Sequence, residues 1–325
     1  MGTGKPQIAI LMAVYEPRMD WLREQLLSLE GQSYPNLMLY VRDDCSPTVP
    51  FEEIRSLVEE CIRSFPYEIG RNEENLGSNR TFELLTREAE GEYFAYCDQD
   101  DIWLPEKLTV LQEALEREKA LLVCSDMFII DGDGRKTAES ITKVRRRHRF
   151  VSGTGLVKEL LAQNFVAGCT MLVRGKSAKK VVPFCPHMVH DHYIALCCAA
   201  KGSIQCLDKQ LIYYRIHGKN QTGVLAGVKD KESYYKLRIL EMRNRFQWLK
   251  EYWPYRRNFQ KELEQCEKWI QARQDNWNGR KERKWFSKWK SYFPNKKTFL
   301  FEYIAPHLPV SIFKLAIWAG QNNFI

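Results

Sequence analysis

Residues 7–46 read QIAILMAVYEPRMDWLREQLLSLEGQSYPNLMLYVRDDCS, and their pattern decides the fold. Residues 7–15 form a near-continuous apolar run that ends at Glu16-Pro17. A strand without polar alternation is buried on both faces, as strands of parallel sheets are. A helical pattern follows over about 18–30. A second apolar run at 37–41 then stops at the polar turn Arg42-Asp43-Asp44-Cys45-Ser46-Pro47. Strand, helix and strand in this span make a βαβ unit. The alternation continues outward with a helix near 51–64, a strand at 67–70, a helix near 80–90, a strand at 93–97, a helix at 105–119 and a strand at 121–124. This order predicts an α/β fold whose mostly parallel sheet is flanked by helices, with ligands bound beyond the carboxyl ends of the strands. Further on, a turn at Asp131-Gly132-Asp133-Gly134, helices at 155–163 and 191–200, and strands at 168–173 and 211–214 are expected.

The chain has 325 residues, 44% of them hydrophobic, enough for one full core and an appendage. Its ten cysteines contain no CxxC pair, so neither a zinc ribbon nor a thioredoxin-like site is suggested. The first seven residues lack the pattern of a secretory signal, and a cytoplasmic location with reduced thiols is expected. The net charge of +8 is unevenly spread. Residues 1–214 carry a net −5, residues 215–297 a net +13, and the remainder cancels. The helical segments beyond residue 224 are rich in Arg, Lys, Trp and Tyr, which places a domain boundary at about 225: a catalytic domain over 1–225 and a helical, basic region over 226–325.

The sharpest local feature is Asp98-Gln99-Asp100-Asp101, three carboxylates within four positions directly after an apolar strand. Such a cluster is costly unless a positive partner neutralises it. Hard oxygen ligands at strand ends suit Mg²⁺ or Mn²⁺ with a diphosphate. The plainer alternative is a solvated loop that caps the next helix. A second acidic turn, Asp43-Asp44, ends another predicted parallel strand, so both clusters belong to one sheet edge. Its carboxylates suit ribose hydroxyls or a base N–H, or simply an Asx-turn.

The chain from about 7 to 223 resembles the inverting family-2 glycosyltransferases, and its DQDDIW and YYRIHGKNQTG segments are most similar to the bacterial rhamnosyltransferase branch. Six motifs in order carry the resemblance: 13–16 (AVYE), 41–46 (VRDDCS), 72–77 (NEENLG), 98–101 (DQDD), 190–193 (HDHY) and 215–217 (RIH). The resemblance implies a GT-A-like, Rossmann-type fold and a nucleotide-sugar donor, dTDP-rhamnose or a UDP-sugar. It also implies that Val14, Tyr15, Glu16, Asp43 and Asp44 hold the nucleoside, with Asn75 and Gly77 beside it. Asp98 and Asp100 match the DxD metal and diphosphate site, Gln99 belongs to the same donor-binding motif, and Asp101 lies near the donor sugar. His217 matches an additional metal or diphosphate contact. The first motif departs from the family's usual Thr or Ser and Asn, for which Tyr15 and Glu16 stand here. Asp191 is the candidate general base of an inverting transfer, which requires a carboxylate to take the acceptor's hydroxyl proton. An N-cap of the following helix is a compatible second role for it. His190 and His192 read as acceptor-site or structural residues rather than metal ligands.

Residues 280–293, RKERKWFSKWKSYF, interleave Lys and Arg with aromatics largely on one helical face. This is the composition of an interfacial helix that meets anionic lipid, and a buried helical appendage is its bland counterpart. Residues 298–318 are apolar but hold Glu302, Pro306, His307, Pro309 and Lys314, too broken to span a bilayer as one helix. The expectation is a peripheral enzyme at the cytoplasmic face of a membrane that acts on a glycan or lipid-linked acceptor and does not bind nucleic acid. A UDP-hexose or UDP-N-acetylhexosamine donor and a catalytically silent sugar-nucleotide-binding subunit are the rival readings.

Overall fold

The structure is a computed structural model that describes residues 4–145, 148–218, 225, 227–280 and 296–321. The chain forms two compact units. The first comprises Met1–Leu160, Asn164–Phe184 and Val189–His217. The second comprises Leu161–Gln163, Cys185–Met188 and Gly218–Ile325.

The first unit is built on one mixed sheet, ordered β3-β2-β1-β4-β8-β6-β9-β5, with β7 paired to β6. The strands are β1 (Ile8–Val14), β2 (Leu37–Asp43), β3 (Tyr67–Arg71), β4 (Tyr93–Cys97), β5 (Ile102–Trp103), β6 (Leu122–Ile130), β7 (Lys136–Ala138), β8 (Met171–Arg174) and β9 (Ile204–Arg215). β3, β2, β1 and β4 run parallel, β8 is antiparallel to both neighbours, and β9 returns parallel to β6. Helices α1 (Met19–Glu30), α2 (Phe51–Cys61), α3 (Ser78–Glu88) and α4 (Lys107–Arg117) connect the strands at the predicted places. Alternation along β1 feeds two faces. Ile8, Ile10, Met12 and Val14 pack in one core with Leu22 and Leu26 of α1, Ile54 and Val58 of α2, and Leu111 and Leu115 of α4. Ala9 and Leu11 are equally buried on the opposite face, the side of α3.

Three features differ from the sequence reading. β9 spans twelve residues where a short strand is expected, because Asp208, Lys209 and Gln210 break the apolar run in mid-strand. Its pairing with β6 shifts register around Asp126. The expected strand at 168 begins instead with a 3₁₀ turn, Gly168–Thr170. The helix expected at 191 is His190–Ala199, with Val189 as its N-cap. All ten cysteines are free thiols.

The second unit is helical. Asp230 and Ser233 form a capping box that opens Lys231–Tyr234, a π-helical turn covers Tyr235–Leu240, and Glu241–Tyr252 and Gln260–Trp277 follow. Tyr234 stacks on Trp277 with ring centroids 5.3 Å apart, beside a buried Arg273–Glu302 pair at 2.6 Å. The helices Lys296–Ile304 and Val310–Gln321 close this unit's described part. Among the described residues no helix is long and apolar enough to cross a membrane. Nearly all of the aromatic and basic segment singled out at 280–293 lies outside the described residues, as do Arg146 and Arg147.

Candidate active site

The carboxyl ends of β1, β2 and β4 lie side by side, with Val14 opposite Asp43 and Met12 opposite Cys97. Residues 14–16, 43–46 and 98–101 therefore arrive at one edge. Val14 is fully buried, and its carbonyl accepts the Asp44 N–H at 2.7 Å. Continuing the β1–β4 register by two residues sets Gln99 beside Val14. The Gln99 side chain there clasps the next backbone unit: Oε1 accepts the Tyr15 N–H at 2.7 Å and Nε2 donates to the Tyr15 carbonyl at 3.0 Å. Tyr15 keeps 43% of its surface exposed. The Glu16 carboxylate accepts from the Thr48 N–H at 2.8 Å, the Thr48 hydroxyl and the Val49 N–H at 3.3 Å. Glu16 thus joins the loops after β1 and β2.

The two neighbouring aspartates divide their work. Asp43 accepts from the Ser46 hydroxyl at 2.6 Å and lies 3.3 Å from Arg71 Nε. Asp44 reaches the other way and accepts from Asn72 Nδ2, the Leu76 N–H and the Gly77 N–H, each at 2.8 Å. Asp44 therefore shapes the loop that carries Asn75, which is exposed. Gly77 has φ 79° and ψ 154°, a backbone conformation reserved for glycine.

In the acidic loop, Asp100 faces His217, with His217 Nε2 2.7 Å from Asp100 Oδ2. Asp101 is fully buried: Oδ1 accepts the Arg215 N–H at 3.0 Å, and the carboxyl lies against the Cys169 thiol. Burial, then the charge of Asp100 and of Asp191, pushes the Asp98 carboxyl up to about 7. Burial followed by its two acidic neighbours holds Asp101 well above the usual carboxylate range. A loop whose carboxylates resist ionisation through burial and mutual repulsion, even with Lys107 beside them, fits a divalent cation. Asp98, Asp101 and Cys169 bring ligand atoms within 4.8 Å of one another, yet chemistry favours the other side of the loop. The Cys169 thiol is driven up by burial and stays protonated, and the buried Lys107 ammonium lies 2.5 Å from the Cys169 carbonyl oxygen. Asp100 meets His217 apart from that group, while Asp98 stands within it and within reach of the Lys107 charge.

Lys107 lies outside the six motifs of the family resemblance. Its ammonium sits 3.2 Å from the centroid of the Trp103 ring, fully buried, and desolvation pulls it down to about 7. The available signal was its place in an apolar stripe, since Leu108, Leu111, Ala114 and Leu115 of α4 are buried with it.

Asp191 lies in the first turn of its helix, and its N-cap is Val189, not Asp191. Oδ1 accepts from Asn164 Nδ2 at 3.0 Å and from the His192 N–H at 2.5 Å, and Oδ2 accepts from the Gly168 N–H at 2.9 Å. Burial nevertheless raises it to about 6. It stands near enough to Asp98 for its charge to raise that carboxyl too. His190 is wedged between the rings of Phe82 and Tyr96, with centroids at 4.1 and 5.0 Å, and burial lowers it to about 3, which keeps it neutral. A Cβ on Gly168 would stand 2.7 Å from His190 Nε2, so that glycine permits the close approach. The His192 ring contacts the Leu160 carbonyl oxygen at 2.5 Å. Both histidines are buried.

The profile of glycosyl transferase family 2 matches residues 9–181. The chain is 25% identical over 243 residues to an uncharacterized glycosyltransferase of Nostoc sp. (strain PCC 7120), covering 74% of each. It is 23% identical over 241 residues to the dTDP-rhamnosyl transferase RfbG of Shigella flexneri, covering 70% of this chain and 78% of that one. In fold it is similar to S. aureus TarS 1-349 in complex with UDP-GlcNAc, with a TM-score of 0.57 at 15% identity over 98% of this chain and 90% of that one. It spans 52% of the longer TarS structure. It is likewise similar to the mannosyltransferase PcManGT from Pyrobaculum calidifontis in complex with GDP-Man and Mn²⁺, with a TM-score of 0.57 at 13% identity over 99% of this chain and 85% of that one. The matched profile takes in β1 to β4 with their loops and more than half of the chain, and the chain belongs to glycosyl transferase family 2.

Proposed function

We propose that the protein transfers a sugar from a nucleotide-sugar donor, L-rhamnose from dTDP-rhamnose, to a hydroxyl of a lipid-linked or growing bacterial surface polysaccharide, with inversion. The observation that carries the reading is Asp191, a carboxylate raised to about 6 and set close to Asp98. A base with that affinity takes a hydroxyl proton effectively near neutral pH. The acceptor oxygen then forms its bond to the anomeric carbon from the face opposite the diphosphate. The carbon–oxygen bond to the diphosphate breaks, the leaving group keeps the electron pair, and Asp191 keeps the proton.

Asp98, Asp100 and His217 would hold Mg²⁺ or Mn²⁺, which when bound neutralises charge on the departing diphosphate. Asp43, Asp44, Asn75 and Gly77, with Val14, Tyr15, Glu16 and Gln99, frame the nucleoside end of the donor site, while Asp101, buried and bonded to the Arg215 N–H, stands on the side of the donor sugar. The rhamnosyl assignment is supported by the likeness of 98–103 and 213–223 to that branch and by the Shigella flexneri relative. Rival donors are suggested by the UDP-GlcNAc and GDP-Man complexes of the two fold relatives. We place the enzyme in the cytoplasm at the inner face of the plasma membrane, supported by the basic charge of 215–297 and by the exposed apolar side chains of Val310–Gln321.

Calorimetric titration with dTDP-rhamnose, UDP-glucose, UDP-N-acetylglucosamine and GDP-mannose, each with Mn²⁺ and then with chelator, tests the donor. Metal-dependent binding of dTDP-rhamnose alone is expected. Selective binding of another donor replaces the sugar assignment, and binding that survives chelation removes the metal.

A further inference from the structure

We propose that Arg215 is the positioning residue of the acidic loop: its buried guanidinium fixes the peptide at Asp100 so that the Asp100 carboxylate is held toward His217. The inference rests on the reading that Asp98, Asp100 and His217 take the divalent cation.

Sheet register brings Arg215 to this place. β5 pairs antiparallel with β9, Ile102 opposite Tyr213, so two residues further along Arg215 stands opposite Asp100. On its other side β9 pairs parallel with β6, Ile130 opposite Arg215, which puts the turn after β6 within reach. Only 1% of the residue is exposed. Its backbone N–H donates to Asp101 Oδ1 at 3.0 Å and its Nε to the Asp100 carbonyl at 2.9 Å. Nη1 reaches the carbonyls of Asp131 and Gly132 at 3.3 and 3.4 Å, and Nη2 reaches Glu24 Oε2 of α1 at 2.5 Å.

Each direction of the planar fork thus meets an acceptor, and three chain segments meet at one side chain. A lysine has one nitrogen on a flexible stem and cannot span these acceptors together. Trp21 of α1 completes the brace. Its ring centroid lies 4.9 Å from the Arg215 guanidinium carbon and 4.9 Å from the His217 ring, and its Nε1 donates to the Gly132 carbonyl at 3.2 Å. Arg215 and Trp21 therefore pin both members of the Asp100–His217 pair without belonging to it. Groups that orient metal ligands from behind commonly matter to affinity by about 10- to 100-fold.

The test is Mn²⁺ binding to the full chain without substrate, followed by the electron paramagnetic resonance signal of free Mn²⁺, alongside transfer rates at increasing Mn²⁺. Arg215→Lys is expected to weaken Mn²⁺ binding about tenfold while the rate at saturating Mn²⁺ stays within about threefold of wild type. Arg273→Lys, at the buried Arg273–Glu302 pair of the second unit, serves as the control for simple destabilisation and should leave Mn²⁺ binding unchanged. If Arg215→Lys does not fold, Glu24→Gln removes the counter-charge of the same guanidinium and should weaken Mn²⁺ binding by about threefold. A folded Arg215→Lys or Glu24→Gln protein with wild-type Mn²⁺ affinity overturns the inference. A wild-type enzyme that transfers sugar but binds no Mn²⁺ overturns instead the metal reading beneath it.

Discussion

Asp191 accepts three hydrogen bonds, each of which favours its charged form, and yet it is raised to about 6 because desolvation outweighs them. A base of this kind makes kcat/KM fall about tenfold per pH unit below pH 6. Stability moves the other way. The folded carboxyl binds its proton more tightly than the unfolded one, whose ordinary value is 3.8. The resulting stabilisation is fully present below that value and is lost as pH rises through about 6. Between these limits activity should rise while this group's share of stability declines, and the difference between wild-type and Asp191→Asn melting profiles isolates that share. The same variant should lose about two to four orders of magnitude in kcat with Mn²⁺ binding retained; transfer at the wild-type rate would remove the base assignment. Lys107 offers a contrasting experiment. Removing one partner of a buried charge cluster costs about 3–5 kcal/mol, so Lys107→Met should melt well below wild type yet stay folded at assay temperature. Its transfer rate should fall about tenfold or more, because Asp98 and Asp101 lose their internal cation. A large loss of melting temperature with unchanged rate would make Lys107 purely structural.

At the scale of elements, the loop between β3 and α3 is organised by Asp44 through the Leu76 and Gly77 N–H groups. A Cβ on Gly77 would meet nothing within 4 Å, so the obstacle to substitution is backbone conformation alone. Gly77→Ala should cost about 1–3 kcal/mol and raise the donor KM more than it lowers kcat, since the loop lies at the proposed nucleoside end and away from Asp191. Steady-state kinetics with a calorimetric melt would check both parts. β1, β2 and β4 were legible from their largely apolar runs, whereas β3, YEIGR with no buried residue, was legible from its place between two helical patterns. β9 was legible only at its apolar end, since Asp208, Lys209 and Gln210 carry no strand signal. β5, two residues long, is shorter than any periodicity. The carboxylates of the site could be read from their position at the ends of apolar runs. The roles of Lys107 and Arg215 could not, because burial and partners far along the chain define them, and no local pattern encodes a contact between Arg215 and Glu24.

At the scale of the whole molecule, charge and apolar surface both gather toward the end of the chain. Residues 215–297 hold the net positive charge. The helix Val310–Gln321 buries Phe313 and Ile317 while Val310, Ile312, Leu315 and Trp318 remain 50–63% exposed. Apolar side chains in that number on twelve residues favour an interface, and the basic segment favours one with anionic headgroups. Cosedimentation with vesicles of phosphatidylglycerol and phosphatidylcholine should show binding that grows with the anionic fraction and weakens from low to high salt. Leu315→Glu with Trp318→Glu removes apolar contact worth about 1.5–3 kcal/mol per side chain when buried, and should reduce partitioning more than tenfold. Transfer to a water-soluble acceptor should be unchanged in that variant, since neither residue belongs to the unit that carries Asp98, Asp100 and Asp191. Undiminished vesicle binding by the double variant would move the contact to the basic segment alone. Binding indifferent to both salt and lipid charge would instead leave the apolar helix as its sole source.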